Sequence, residues 1–192
     1  MKILLISGHG AGDPGAVGNG YKEADLTREV VNLVKSRLSK YADVTVYDVN
    51  KNAFAVLDNG GSINFKPYDY VLEIHFNAFN GKAYGTEIYV TTSEKTTVVE
   101  DKMVKNISAL GFTNRGVKKK NFYVIRTAKS QGVSSALLEV CFIDNASDMA
   151  KYASKKNSIA DAITSAVDAH SDGDRSWQYH AGRTRPSPVC WR

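Results

Sequence analysis

Leu4-Leu5-Ile6-Ser7-Gly8-His9-Gly10-Ala11-Gly12-Asp13-Pro14-Gly15 joins a short apolar run to a histidine set among glycines. The run is too brief for a core helix and rich enough in Leu and Ile for a buried strand. The pattern returns twice: Tyr70-Val71-Leu72-Glu73-Ile74-His75 closes on a second histidine, and Ser135-Ala136-Leu137-Leu138-Glu139 closes on a glutamate. In open α/β sheets, ligands bind in the crevice beyond the carboxyl ends of the strands. Three polar groups at strand ends are therefore expected to meet there.

The intervening segments complete an α/β pattern. Leu26, Val30, Leu33, Val34 and Leu38 fall at helical spacing between about Lys22 and Lys40. Glu23 lies on the same face, where a buried carboxylate needs a partner; as a first-turn acid it also favours the helix dipole. Val44–Val49 alternates as a strand, and residues 51–66, broken at Asn59-Gly60-Gly61, hold a short helix and a loop. Nine residues, Phe76 to Tyr84, separate the second strand from Thr86–Val90. A parallel crossover needs a dozen or more, so this pair is expected to be antiparallel and the sheet mixed.

Further on, Ser93 is placed to cap a helix to about Leu110. Asn114–Lys120 reads as a basic loop, solvated or serving as a rim for an anionic polymer. Phe122–Ile125 reads as a strand, and a last helix runs from a cap at Ser147 to about Val167, with a weak point at Lys155-Lys156-Asn157. The expectation is one domain over residues 1–168: a twisted, mixed, mostly parallel sheet of about six strands with helices on both faces. Residues 169–192 hold both tryptophans and two of the four histidines without periodicity, and are expected to form a disordered tail, a linker remnant or a cloning scar.

Composition narrows the chemistry. Of a net charge of +5, the four arginines and two aspartates of residues 169–192 contribute +2, leaving +3 on the body. So small a charge argues against a nucleic-acid partner. The four consecutive apolar residues near the N-terminus, Ile3–Ile6, fall short of the roughly 7 to 15 of a signal peptide and the about 18 of a membrane span. A cytoplasmic start without membrane insertion is expected. Two cysteines make neither a disulfide framework nor a Cys-rich metal site, so any metal must be held by His and carboxylate.

The body carries two histidines, His9 and His75. Either alone could be a core or capping residue; together with Glu23 they make the ligand set of a catalytic zinc site with an open fourth position. Glu139 adds a carboxylate that can move a proton, or else a structural acid. Glu73, two residues before His75, faces the same side, as a partner behind the ligand or a ligand itself. Two rivals use the same region. Cys141 could pair with His75 as a thiol nucleophile, although Val140 and Phe142 beside it suit a packed side chain. Gly10–Gly15 spells a dinucleotide fingerprint, but the loop runs on through Gly18 and Gly20 before a helix starts.

Gly8-His9-Gly10 with Asp13-Pro14-Gly15-Ala16, Glu23, Ile74-His75-Phe76-Asn77-Ala78 and Leu138-Glu139-Val140-Cys141-Phe142-Ile143-Asp144-Asn145 together resemble the zinc-dependent N-acetylmuramoyl-L-alanine amidases of the amidase-3 type, found in autolysins, sporulation enzymes and phage endolysins. The resemblance spans about residues 1–168. It implies one zinc ion on His9, Glu23 and His75, with Glu139 as catalytic acid/base. The implied substrate is peptidoglycan, cut between N-acetylmuramic acid and L-alanine of the stem peptide. Asn77, Asn114 and Arg115 would help shape the substrate groove, and Glu73 would stand behind the ligands. Ser7, Glu73 and Cys141 stand where the family more often has other residues. A monomer acting on the bacterial wall after release is expected, as a phage endolysin or, alternatively, a sporulation or autolytic amidase. A thiol amidase and a non-catalytic muropeptide-binding module are the remaining readings.

Overall fold

The structure is a computed structural model, describing residues 1–173 and side chains through residue 168. Its centre is a six-stranded sheet. In chain order the strands are β1 (Lys2–Ser7), β4 (Asp43–Val46), β5 (Tyr70–Asn77), β6 (Thr86–Val90), β7 (Asn114–Lys119) and β8 (Ser134–Phe142), and a two-stranded hairpin, β2 (Val17–Gly18) with β3 (Tyr21–Lys22), stands apart. The helices are α1 (Glu23–Leu38), α2 (Ala53–Asp58), α3 (Val98–Ser108), α4 (Tyr123–Ser130) and α5 (Ala146–Gly173). No described helix is long and apolar enough to cross a membrane.

The sheet order is β4-β1-β5-β8-β6-β7, with all neighbours parallel except β6 and β8. β1 and β5 are buried on both faces, as parallel strands covered by helices must be. Alternation sends Ile3, Leu5, Leu72, Ile74 and Leu138 into the larger core under α1, α3 and α5. Leu4, Ile6 and Val71 point the other way, into a smaller core beneath α2 and α4. The carboxyl ends of β1, β5 and β8 therefore lie side by side, and the smaller core stops short of them. α1 is fixed to this rim through its first turn, where the Glu23 and Ala24 amides donate to the Ala16 and Pro14 carbonyls at 2.9 and 3.0 Å.

The mixed sheet holds, but β5 and β6 do not pair: β8 lies between them, parallel to β5 and antiparallel to β6. Sequence adjacency mispaired them because the chain makes β6, β7 and two helices before it returns to fill the gap. α3 begins at Val98 after a Thr97 cap, later than Ser93 suggested. The skipped segment buries Glu94, which Lys129 Nζ grips at 2.8 and 2.9 Å. Asn114–Lys119 is an edge strand and not a loop, and Tyr123–Ile125 opens α4 and not a strand. Val124, Ile125 and Ala128 are buried on one face of that helix, a burial that overrides the strand preference of the β-branched Val124 and Ile125. Asn145, two residues before Ser147, caps α5 by accepting from the Ser147 and Asp148 amides, both at 3.1 Å. α5 passes unbroken through Lys155-Lys156-Asn157 and on to Gly173. The rest of the expected tail, including both tryptophans, lies outside the described residues.

Glu100, on the inner face of α3, accepts a hydrogen bond from the Tyr70 hydroxyl at 2.7 Å. Burial pushes its carboxyl up from 4.5 to about 7 against that hydrogen bond. The native state thus prefers the protonated acid, and stability present at low pH falls as pH rises from about 4.5 through about 7, by roughly 3 kcal/mol in total. Glu100→Gln, which stays neutral, is expected to raise the thermal midpoint at pH 8 and to change it little at pH 5. Midpoints shifted equally at both pH values would show that the charge is not the cause.

Candidate metal centre

Three elements deliver one cluster to the rim. His9 follows β1, Glu23 opens α1, and His75 stands near the end of β5. Glu23 is 3% exposed and lies between the two imidazoles. Its Oε1 is 2.9 Å from His75 Nδ1 and accepts from the Phe76 amide at 3.0 Å. Its Oε2 is 3.1 Å from His9 Nε2 and accepts from the Ala16 amide at 2.9 Å. The imidazole rings meet edge to face with centroids 5.0 Å apart.

The loop after β1 is shaped around this cluster. His9 adopts φ 63°, a region uncommon for residues other than glycine. Asp13 holds it there: Oδ2 is 2.8 Å from His9 Nδ1 and accepts from Asn52 Nδ2 at 3.0 Å, while Oδ1 accepts from the Gly15 amide at 2.9 Å. Two glycines make room. A Cβ on Gly8 would lie 2.3 Å from the His75 ring, and one on Gly15, itself at φ 64°, would lie 2.6 Å from His9 and 2.7 Å from Glu23.

Electrostatics tie the three together. Burial alone would raise the Glu23 carboxyl, but hydrogen bonds with His75 and His9 pull it well below the usual carboxylate range. Burial alone would lower both imidazoles; Glu23 and Glu73 raise His75 well above its ordinary value, and Glu23 and Asp13 raise His9. This arrangement attracts positive charge. His9, Glu23 and His75 offer one ligand atom each, all within 4.8 Å of one another, and could hold a metal ion. The donor set fits a divalent cation, and His75 Nε2 is a buried polar atom that makes no well-formed hydrogen bond, with only Glu73 Oε1 near it at 3.3 Å.

Glu139 stands opposite His75 in the β5–β8 register, about one strand spacing of 4.8 Å away. Burial pushes its carboxyl up to about 7, with His75 opposing and Glu23, Glu87 and Glu73 adding to the rise. Its Oε2 also lacks a hydrogen-bond partner, as does Oε2 of Glu73, whose Oε1 is 3.3 Å from His75 Nε2. Buried polar atoms left unpaired are costly, and Oε2 of Glu139 and Oε2 of Glu73 lie unpaired on the same sheet face, where a ligand could satisfy them.

The remaining expected residues divide. Asn77 and Arg115 both reach Glu87, at 2.8 and 2.6 Å. Asn114 does not join them, since its Oδ1 accepts from the Gly116 amide within its own turn. Cys141 is removed from the patch: His75 pairs with Glu139 but Asn77 with Phe142, so β8 holds one extra residue and Val140 and Cys141 both enter the larger core. Burial pushes its thiol well above the usual value, contrary to what a nucleophile needs. From sequence alone Glu87 carries no role, Asp13 is only part of a motif, and Lys118 only part of a basic stretch. A place four residues after a site histidine is the sign that could have given Asp13 a role, and Glu87 offers only a buried position in β6.

Residues 3–169 match the family model described as N-acetylmuramoyl-L-alanine amidase. The endolysin of Bacillus phage SPP1 is 31% identical over 180 residues, covering 89% of this chain and 64% of the phage protein. The sporulation-specific N-acetylmuramoyl-L-alanine amidase of Bacillus subtilis is 31% identical over 155 residues, covering 79% of this chain and 60% of that protein. The chain thus spans less than two thirds of the length of these two curated relatives. Among solved structures, the catalytic domain of the amidase CwlV from Bacillus (Paenibacillus) polymyxa var. colistinus superposes with a TM-score of 0.74 at 25% identity, covering 89% of this chain and 98% of that one.

Gly15→Ala is expected to weaken divalent-metal binding at least about tenfold, because the added methyl displaces His9 and Glu23. A cobalt(II) titration followed by visible absorption measures this, with far-ultraviolet circular dichroism checking the fold. Unchanged affinity in a folded variant would show that the glycine does not shape the site.

Proposed function

Because the chain belongs to the N-acetylmuramoyl-L-alanine amidase family, we propose that it hydrolyses peptidoglycan at the amide between the lactyl group of N-acetylmuramic acid and L-alanine. His9, Glu23 and His75 would hold one zinc ion, and Glu139 would act as the acid/base. The observation that carries this proposal is the pairing of a His-Glu-His cluster with a half-buried carboxyl directly across the strand register, one oxygen of which is buried without a hydrogen-bond partner.

When bound, zinc supplies a Lewis acid that polarises the scissile carbonyl and makes hydroxide available near neutral pH. The protein's own groups do the rest. Asp13 on His9 Nδ1 leaves Nε2 facing Glu23, so the ring keeps one tautomer and orientation. Glu139 takes the proton of the attacking water and returns it to the L-alanine nitrogen as the C–N bond breaks. The products are a lactyl carboxylate and a stem peptide with a free amine. Burial, by bringing Glu139 near neutrality, suits it to both halves of that transfer. A muropeptide-binding module would gain nothing from such a carboxyl.

The endolysin setting is supported by the SPP1 relative, and the sporulation setting by the Bacillus subtilis one, at the same identity. Faster release of muropeptides from sacculi of growing cells than from spore cortex is the outcome expected of an endolysin.

Glu139→Gln is expected to retain one zinc per chain and to lose turnover by about 10²- to 10⁴-fold, whereas Glu23→Ala is expected to lose the zinc itself. Metal analysis and mass spectrometry of digested sacculi check both, with new N-terminal alanine marking the cut. Undiminished cleavage by Glu139→Gln would reassign the acid/base. A chelator is expected to stop activity and a thiol-alkylating agent to leave it intact; the reverse result would bring Cys141 back.

A further inference from the structure

Next to the metal cluster and Glu139, the same sheet face carries a second charged group. Glu87 on β6 lies opposite Glu139 in the antiparallel register and is 1% exposed. It is saturated by donors. Its Oε1 accepts from Asn77 Nδ2 at 2.8 Å and from the Tyr89 hydroxyl at 2.7 Å. Its Oε2 accepts from Arg115 Nε at 2.6 Å and from Lys118 Nζ. Burial would raise its carboxyl, but Lys118, Arg115 and Tyr89 hold it below the ordinary value, so it stays ionised. One buried negative charge thus faces two positive ones, and the group is left with a net positive charge.

Both cations have set positions. The Arg115 guanidinium lies 4.9 Å over the Phe142 ring and its second nitrogen is 3.4 Å from the Tyr84 carbonyl oxygen; Lys118 Nζ is 5.7 Å from the Tyr89 ring centre. Each keeps about a third of its side chain open to solvent, 33% and 37%. Such a pinned, half-open pair of donors is arranged to take a carboxylate.

We propose that Arg115 and Lys118, fixed by Glu87, bind a carboxylate of the substrate's peptide portion and give the chain a preference for acidic over amidated stem peptides. This rests on the amidase reading above. The order across the sheet is His75 on β5, Glu139 on β8, Glu87 on β6 and the cations on β7. Glu87 lies about one strand spacing of 4.8 Å from Glu139 and Arg115 Nε is 2.6 Å from its carboxyl, so the guanidinium lies roughly two strand spacings from Glu139. An extended peptide advances about 3.3–3.6 Å per residue, so a carboxylate on the second or third residue beyond the cut amide reaches it. Glu73 and Glu139, elsewhere on the same face, would repel it.

Two synthetic N-acetylmuramoyl peptides test this, identical except that the second stem residue carries a free carboxylate in one and a carboxamide in the other. The unaltered protein is expected to favour the free acid by about tenfold in kcat/KM, through KM, as a charge-assisted hydrogen bond predicts. Lys118→Gln is expected to bring the ratio to about two or below, and Lys118→Arg to restore it. Thermal midpoints confirm that each variant is folded, and Arg115→Lys serves as a second variant, expected to reduce the ratio as well. Equal kcat/KM on both substrates, or a ratio unchanged in Lys118→Gln, would overturn the inference while leaving the amidase standing. Failure to cut either substrate would remove the amidase reading, and this inference with it.

Discussion

The carboxylate of Glu23 is the interaction on which the site depends. It sits at the first residue of α1, almost wholly buried, and touches His9 after β1, His75 on β5 and two backbone amides. An isolated buried carboxylate would be several kcal/mol too costly to keep ionised. The two imidazoles and two amides remove that penalty. The same contacts tie the first turn of α1 to the ends of β1 and β5, while its apolar face packs in the larger core. Breaking a buried group of this kind by removing one partner costs more than the pair contributes net, because the other charge stays behind.

Much of this was visible in the chain. The apolar runs ending at His9, His75 and Glu139 are buried strands brought side by side at their carboxyl ends, and Glu23 does lie on the inner face of its helix. Local signals sufficed because a buried parallel strand and an amphipathic helix leave unmistakable periods. The rest was hidden for physical reasons. The insertion of β8 between β5 and β6 is a long-range choice that no local window records. Lysine-rich β7 looks like a loop because its cations serve a carboxylate about thirty residues away in sequence, Glu87. The bulge in β8 moved Cys141 off the Glu139 face, a shift of one residue that alternation alone cannot foresee.

The two faces of the sheet divide stability and chemistry. The face under α1, α3 and α5 is almost wholly apolar and holds the larger core. On the other face the small core ends early, and Glu73, His75, Glu139 and Glu87 follow in a band across three strands. Unpaired polar atoms in that band lower stability where a ligand is meant to enter, and the first face offsets them. The preference for glycine at Gly8 and Gly15 follows from the same crowding, since backbone must approach the imidazoles without a side chain between.

β7 lies at one border of the sheet, with hydrogen-bonding partners along a single side. An unprotected strand of that kind is a template onto which another molecule's strand can add. Lys118, Lys119 and Lys120 fall on or just past this strand, and two like-charged copies would repel each other along it. Lys118, which holds Glu87 in place, thus belongs with Lys119 and Lys120 to a run of charge that disfavours outward growth of the sheet.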